Sequence, residues 1–238
     1  GLVLAGRDSR RSLPPEILAR LAVPFLEQKG QARLFLLGSA AEAPVAKAVL
    51  RALPPGIAKQ TKDLAGKTDW AGLVDVLLGL DRVFTPDTGS MHLAAHLGVP
   101  VSAFFLSSAW CFETGHYGLG HTVYQAVTDC LPCLETRGCD QQVRCLDPFR
   151  NPGFVRFLLT GNPEHAPDGV LGLSSALDRL GAHYTAFSGQ DADLPERQKF
   201  RDFLSRHLHL PGAAAEPPQP DLAARFYQDR DWLVENRQ

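Results

Sequence analysis

The stretch that decides the fold is Phe84-Thr-Pro-Asp-Thr-Gly-Ser-Met-His-Leu-Ala-Ala-His-Leu-Gly-Val-Pro100. It starts as an apolar strand, passes through Asp87-Thr-Gly-Ser90, and continues as a helical pattern that Gly98 and Pro100 bring to an end. A strand that delivers small polar residues to a helix start places unpaired amides and the positive end of the helix dipole there, which favours a phosphate group. The alternative is that Asp87 or Thr88 only caps the helix.

The chain before this stretch alternates short apolar runs with helical patterns, which is typical of βαβ units around a parallel sheet. The spacing predicts strands at residues 2–5, 33–37, near Ile57, 82–85 and 99–106, and helices that begin at Pro14-Pro15 and cover residues 41–52, about 70–80 and 91–97. The sequence therefore predicts an α/β fold with a doubly wound parallel sheet.

The second half of the chain has a different pattern. Residues 107–149 are predicted to be loop-rich and hold all five cysteines, and a last core helix is predicted at 151–159. Hairpin-like runs follow at 170–173 and 183–187, then an amphipathic helix at 196–210. We predict a domain over residues 1–160, an extension over 161–210 packed on it, a Pro-rich linker at 211–220, and a terminal amphipathic helix at 221–238.

The composition is that of an ordinary globular protein. The 238 residues are 45% hydrophobic and 21% charged, and the formal net charge is −2, so no bulk attraction for nucleic acid or anionic lipid is expected. The longest apolar run, residues 99–112, is too short for a transmembrane segment. No initiating Met and no signal peptide are present, which predicts that the chain is part of a larger protein.

Several motifs resemble those of glycosyltransferase family 9, the heptosyltransferase family. The Asp87-Thr-Gly-x-x-His-x-Ala-Ala segment is similar to the family signature, and Leu64-Ala-Gly-Lys-Thr-Asp-Trp-Ala-Gly-Leu73 is similar to its L-x-G-x-T-x-x-x-x-L motif. Gly115-His-Tyr-Gly-Leu-Gly-His121 is similar to a glycine-rich loop of the family, and residues 6–16 resemble its first strand-loop-helix element. The resemblance covers about residues 1–160. It implies the Rossmann-like, nucleotide-sugar-binding half of a GT-B enzyme.

The resemblance implies roles for individual residues. Thr88, Gly89 and Ser90 would contact the donor diphosphate, with Asp87 and His92 lining the sugar-phosphate site. Arg11 stands where the family has a phosphate-neutralising Lys, and a guanidinium can bind phosphate in its place. Each assignment has a structural alternative: Arg11 in an exposed basic loop, and His92 in purely local hydrogen bonds. His96 is interpreted as structural.

Glu42 follows the second predicted strand, where an acidic side chain can accept hydrogen bonds from a ribose; an exposed Glu on a helix face is the alternative.

Two departures limit the resemblance. Leu13 stands where the family has Trp, and Phe105-Leu-Ser-Ser-Ala-Trp110 stands where the family often has F-G-P-T-D-P. The second departure changes the loop that faces sugar or acceptor. Heptose specificity therefore does not carry over to this chain.

Four cysteines, Cys130, Cys133, Cys139 and Cys145, lie within a short segment, with Cys111 apart. Four thiolates at this spacing can hold a structural zinc ion or an iron–sulfur cluster, although only one Cys-x-x-Cys pair is present. Disulfides and free thiols are the alternatives. Under each interpretation the segment is a structural or sensing element beside the site and does not supply the reacting group.

The resulting hypothesis is an inverting glycosyltransferase domain that needs no cofactor for transfer. It would bind a nucleotide-diphosphate sugar, with ADP-sugars favoured by the resemblance, and serve a saccharide or lipid-linked, lipopolysaccharide-type acceptor. The general base is expected on a missing N-terminal domain, and the location is expected to be the bacterial cytoplasm, peripheral to the inner membrane. Two rival hypotheses remain: a non-catalytic, metal-stabilised interaction module, and a GT-B-type nucleotide-sugar epimerase.

Overall fold

A computed structural model describes residues 1–6, 9–28, 32–134 and 136–210. Their strands form one eight-stranded sheet in the order β3-β2-β1-β4-β5-β6-β7-β8. The strands are β1 (Leu2–Val3), β2 (Phe35–Leu37), β3 (Lys62–Asp63), β4 (Val83–Pro86), β5 (Val101–Phe105), β6 (Thr122–Ala126), β7 (Val170–Asp178) and β8 (Gly181–Ser188). The first six are parallel, whereas β7 and β8 form an antiparallel hairpin.

Helices cover both faces of the sheet. They are α1 (Pro15–Gln28), α2 (Ala43–Ala52), α3 (Pro55–Gln60), α4 (Trp70–Leu78), α5 (Gly89–His96), α6 (Cys111–Thr114), α7 (Asp147–Arg150), α8 (Pro152–Thr160) and α9 (Leu194–His207). Because successive strand residues point to opposite faces, Phe104 joins a core with α1, α2 and α8, whereas Ala103 and Phe105 join a core with α4 and α5. The predicted α/β, doubly wound class is confirmed.

Most predicted elements are present with shifted ends, and two predictions were wrong. The strand expected near Ile57 is helix α3, because Pro55 at the first helical position starts a helix; the strand follows at β3. The segment expected to be loop-rich contains β6, whose five residues are too short to show a clear alternation of apolar and polar side chains.

The hairpin after residue 160 belongs to the same sheet as the strands before it. Strand β7 pairs with β6 over five residues, from Thr122 opposite Ser174 to Ala126 opposite Val170. The sheet therefore continues across the boundary that the sequence suggested. The predicted linker at 211–220 and the predicted terminal helix at 221–238 lie outside the described residues.

Candidate functional site

A cavity of about 470 Å³ opens where the strand order reverses, between β1 and β4. In an open α/β sheet this is where ligands bind, since the loops that follow the two strands run to opposite faces and leave a crevice. The lining residues come from the end of β1, from the segments that follow strands and from the first turn of α4: Val3, Ala5, Gly6, Gly38, Ser39, Glu42, Thr68, Asp69, Trp70, Leu73, Asp87, Thr88, Gly89 and Ser90.

The start of α5 forms one wall of this cavity. Thr88 is the N-cap residue, and its hydroxyl accepts a hydrogen bond from the Met91 amide at 3.3 Å. A Cβ on Gly89 would meet no atom within 4 Å, so the backbone there faces open space. The first amides of a helix have no acceptor within it and carry the positive end of the dipole. This wall therefore suits an anion that approaches Gly89.

A capping box forms the opposite side of the cavity. The Ser39 hydroxyl accepts from the Ala41 amide, and the Glu42 carboxylate accepts from the Ser39 amide. Glu42 is half-buried, so it is not the fully exposed helix-face residue of the alternative interpretation. This arrangement holds a carboxylate at the cavity, where it can accept hydrogen bonds from hydroxyl groups.

The turn at Gly66 brings the loop after β3 against this capping box. Gly66 has a φ of +69°, and its amide donates to the Gly38 carbonyl at 2.8 Å. A Cβ on Gly66 would lie 2.8 Å from the Cα of Ala40. Only glycine permits both this backbone conformation and this close approach. The approach brings the loop that precedes α4 to the edge of the cavity.

Arg11 forms an ion pair with Asp87, which lines the cavity. The Arg11 guanidinium donates to Oδ2 of Asp87, and the two side chains are only 13% and 6% exposed. The Thr114 hydroxyl donates to the same oxygen at 2.8 Å. Both predicted donor residues are therefore at the site, but the structure pairs them with each other.

The charged residues among the described lining of the cavity are Glu42, Asp69 and Asp87, and all three are acidic. Asp87 is neutralised by Arg11, whereas Asp69 is the N-cap residue of α4 and accepts from the Gly72 amide at 2.8 Å. A phosphate at this site would thus be bound by helix amides and hydroxyl groups. The remaining carboxylates suit neutral, hydroxyl-rich groups.

The structure brings five of the seven predicted donor residues to the cavity: Glu42, Asp87, Thr88, Gly89 and Ser90. Arg11 reaches the site through Asp87. His92 is exposed on α5 and is not among the described lining residues; His96 is also exposed.

Trp70 and Asp69 were not singled out as site residues from the sequence. Trp70 is 71% exposed at the start of α4 and lines the cavity. A large aromatic side chain at the first helical position, where packing does not require one, was the available signal. Exposed aromatic side chains of this kind are frequent at binding sites.

Two buried histidines, His116 and His121, lie in the glycine-rich loop predicted from the sequence. Burial lowers the pKa of His116 to about 3, and the neighbouring His121 and His92 add to the effect. Burial also lowers the pKa of His121. The Tyr184 hydroxyl donates to the His116 carbonyl at 2.7 Å, which ties this loop to β8. Both imidazoles are therefore neutral at pH 7 and contribute to packing.

The four clustered cysteines are free thiols in the structure. Three of their sulfur atoms contact groups nearby in the chain. Cys130 Sγ lies 3.3 Å from the Thr128 hydroxyl, Cys133 Sγ contacts the Cys130 carbonyl, and Cys139 Sγ accepts from the Val143 amide. Cys145 is buried, and this burial raises its pKa to about 11.

No group of three or more His, Cys, Asp or Glu side chains is placed to hold a metal ion among the residues that the structure describes. The sulfur atoms of Cys130, Cys133 and Cys139 make contacts with neighbouring backbone or hydroxyl groups. The structure thus does not support the predicted zinc site at Cys130, Cys133, Cys139 and Cys145.

Comparison with known proteins assigns the family. The model of glycosyltransferase family 9 (heptosyltransferase) matches residues 21–142, just over half of the chain. The chain belongs to glycosyltransferase family 9. This agrees with the resemblance of the Asp87-Thr-Gly segment, which lies inside the matched range.

Relatives of this family 9 chain include lipooligosaccharide heptosyltransferase 2 of Haemophilus influenzae, 36% identical over 87 residues. The match covers 37% of this chain and 25% of that protein, so the chain spans about a quarter of the length of this relative.

Similar solved structures include E. coli ADP-heptose LPS heptosyltransferase II, with a TM-score of 0.45, 23% identity, and 49% and 35% of the two chains covered. E. coli heptosyltransferase WaaC with ADP has a TM-score of 0.42, 25% identity, and coverages of 49% and 34%.

The part of the chain that the structure describes contains no helix with the length and apolar character needed to cross a bilayer.

Proposed function

We propose that the cavity between β1 and β4 binds the nucleoside diphosphate of a sugar donor, and that the protein transfers this sugar to a saccharide or lipopolysaccharide-type acceptor with inversion. The observation that carries the proposal is the wall at Thr88 and Gly89, where a helix start faces open space at the reversal of strand order. Membership of family 9 favours a transferase over an interaction module or an epimerase.

Each side of the cavity has a proposed partner on the donor. The amides of Gly89 and Ser90 and the Thr88 hydroxyl hold the diphosphate, and the Glu42 carboxylate accepts from ribose hydroxyls. Trp70 offers an aromatic face to the base. We favour an ADP-sugar, since the relative WaaC was solved with ADP.

In the proposed reaction, the bond from the anomeric carbon to the diphosphate oxygen breaks while the acceptor oxygen bonds to that carbon from the opposite face. A general base elsewhere in the protein takes the acceptor hydroxyl proton. Negative charge grows on the departing diphosphate, and helix amides that already point at it stabilise that charge without reorganising. Arg11 pairs with Asp87 and neutralises its charge, so that the carboxylate does not repel the diphosphate. We place this reaction on the cytoplasmic side of the bacterial inner membrane.

Calorimetric titration of the full 238-residue chain with ADP, UDP and GDP tests the proposal. Selective binding of one nucleotide is expected, and saturating ligand at a hundred times its dissociation constant should add about 2.7 kcal/mol of stability. Arg11→Ala should weaken this binding at least tenfold, because it leaves the Asp87 carboxylate without its neutralising partner beside the diphosphate.

A matched control comes from the exposed pair Asp147 and Arg150 on α7, joined at 2.9 Å. Alanine at either of these positions should leave nucleotide affinity unchanged. If the wild-type chain binds no nucleotide at millimolar concentration, or if the Arg11 variant binds as well as wild type, the donor-site proposal is wrong.

A further inference from the structure

The short helix α6 lies between the donor cavity and the C-terminal helix α9. Its last residue, Thr114, contacts the cavity side: the hydroxyl is 2.8 Å from Asp87 Oδ2 and 3.3 Å from the Trp110 carbonyl. A hydroxyl has a single proton to donate. The Asp87 carboxylate is both the nearer and the stronger of the two acceptors, so the Thr114 hydroxyl donates to it. Asp87 therefore receives hydrogen bonds from Arg11 and Thr114 on the same oxygen.

Helix α9 holds α6 from the other side. The Arg197 guanidinium lies 3.5 Å from the centroid of the Phe112 ring, and Arg197 also pairs with Asp191. The side chains of this pair are 14% and 6% exposed, so the guanidinium is fixed rather than mobile in solvent. Phe112 packs edge-on against Tyr184 of β8, with ring centroids 6.0 Å apart. A cation over an aromatic face at this distance is an attractive contact.

A buried glutamine fixes the start of α6. Gln125 on β6 is fully buried, and its carbonyl oxygen accepts from the Cys111 amide at 3.0 Å. Its amide nitrogen donates to the Ala126 carbonyl at 3.1 Å. Helix α6 is thus anchored at its start by Gln125, along its side by Arg197 and at its end by Asp87.

We propose that Thr114 is a positioning residue of the donor site, and that Arg197 holds in place the helix that presents it. The proposal rests on the donor-binding function above. Asp87 lines the cavity, and the hydrogen bonds that its Oδ2 receives from Thr114 and Arg11 hold the carboxylate in place and offset its charge. Without the Thr114 hydroxyl, the carboxylate loses one of these bonds and repels a bound diphosphate more strongly.

This mechanism predicts a selective effect on charged ligands. Repulsion by Asp87 acts on the diphosphate and leaves a neutral nucleoside unaffected, whereas a merely structural loss of the cavity weakens both. The ratio of ADP affinity to adenosine affinity therefore separates positioning from general damage. In Thr114→Val we expect ADP affinity to fall roughly three- to tenfold, while adenosine affinity stays within about twofold.

Two further variants complete the test at Thr114. Thr114→Ser keeps the hydroxyl and should restore the wild-type ratio. Thr160→Val is the matched control, because Thr160 also ends a helix and its hydroxyl donates to the carbonyl four residues earlier, at 2.8 Å. That control should bind ADP and adenosine as the wild type does.

The contribution of α9 is tested by Arg197→Met and by the double variant Asp191→Asn/Arg197→Met, which removes both charges together. Both should lower the ADP-to-adenosine ratio in the direction of Thr114→Val, with urea unfolding as the check that the chain is folded. If Thr114→Val shifts the ratio and these variants, when folded, do not, the role of Arg197 is overturned.

Other outcomes overturn the whole inference. Equal losses for ADP and adenosine in Thr114→Val, or no loss for either, would contradict positioning by Thr114 while the wild-type chain still binds nucleotide. Failure of the wild-type chain to bind any nucleotide would overturn the donor-site proposal itself and this inference with it. The wild-type titration therefore distinguishes the two failures.

Discussion

Arg11 and Asp87 bind each other beside the cavity between β1 and β4, although they are 76 residues apart in the chain. The sequence suggested each of them as a separate contact to the donor. In the structure the guanidinium neutralises the carboxylate in a place where both are nearly buried. The pair joins the loop after β1 to the end of β4, the two strands that flank the cavity.

This pairing predicts strong coupling between the two residues. Asp87→Asn should lower the free energy of unfolding by about 3 kcal/mol, because it removes the carboxylate from beside a nearly buried guanidinium. The double variant Arg11→Met/Asp87→Asn should cost less than the sum of the single variants, by about 1–3 kcal/mol. Urea unfolding at pH 7 measures the stability of the wild type, of Arg11→Met, of Asp87→Asn and of the double variant. The exposed pair Asp147 and Arg150 should couple by less than about 1 kcal/mol. Additive effects at Arg11 and Asp87 would show that the ion pair contributes little.

Trp70 is predicted to bind the nucleotide base without supporting the fold. Its side chain is 71% exposed, so Trp70→Ala should change the free energy of unfolding by less than about 0.5 kcal/mol. Loss of base stacking should weaken nucleotide binding by roughly 1–3 kcal/mol. Calorimetry measures the affinity and urea unfolding the stability. The control is Leu78→Ala, an exposed position at the end of the same helix α4, which should bind as wild type does. Unchanged affinity in Trp70→Ala would remove this residue from the site.

The turn at Gly66 is predicted to be necessary for both stability and binding. Gly66→Ala should lower the free energy of unfolding by at least about 1–2 kcal/mol, since alanine is strained at this positive φ and its Cβ would press on Ala40. Nucleotide affinity should fall as well, because the loop before α4 would move away from the cavity.

The matched control is Gly56→Ala, inside helix α3, where a Cβ would meet nothing within 4 Å. That variant should raise stability by about 0.5–1 kcal/mol. Equal effects of the two alanines on the urea midpoint would contradict the assignment of strain to Gly66.

His116 is predicted to make stability depend on pH in the acid range. Its pKa is about 3 in the folded chain and about 6.5 in an unfolded chain. Between these values the unfolded state binds a proton that the folded state does not bind. The free energy of unfolding should therefore fall as pH falls from 6.5 toward 3, with a contribution from this residue of up to about 1.4 kcal/mol per pH unit.

Urea unfolding of wild type and His116→Phe at pH 4, 5, 6 and 7 measures this contribution. The variant should show a shallower dependence on pH, because phenylalanine does not titrate. His96→Gln, at an exposed position on α5, should keep the wild-type slope. An equally steep slope in His116→Phe would assign the acid sensitivity to other groups.

Much of the fold follows from local patterns in the chain. The buried strand β5 is a run of five buried residues, and the helix starts at Pro15, Asp69 and Thr88 carry proline or a capping side chain. Strands β3 and β6 were harder, because β3 consists of the two polar residues Lys62 and Asp63 and β6 carries polar Thr122 and Gln125 within its five residues. The error at Ile57 has a local cause as well: the proline pair before it starts a helix where a strand was expected.

The sequence by itself determined the class of the sheet, the helix start at Thr88 and Gly89, and the family, because these depend on residues that are neighbours in the chain. Only the tertiary structure decided that Arg11 binds Asp87, that Thr114 shares the same carboxylate oxygen, and that Arg197 stacks on Phe112. It also decided that the cysteines do not converge on a metal. Such contacts join residues that are distant in the chain and depend on how strands and helices pack, which spacing along a sequence does not encode.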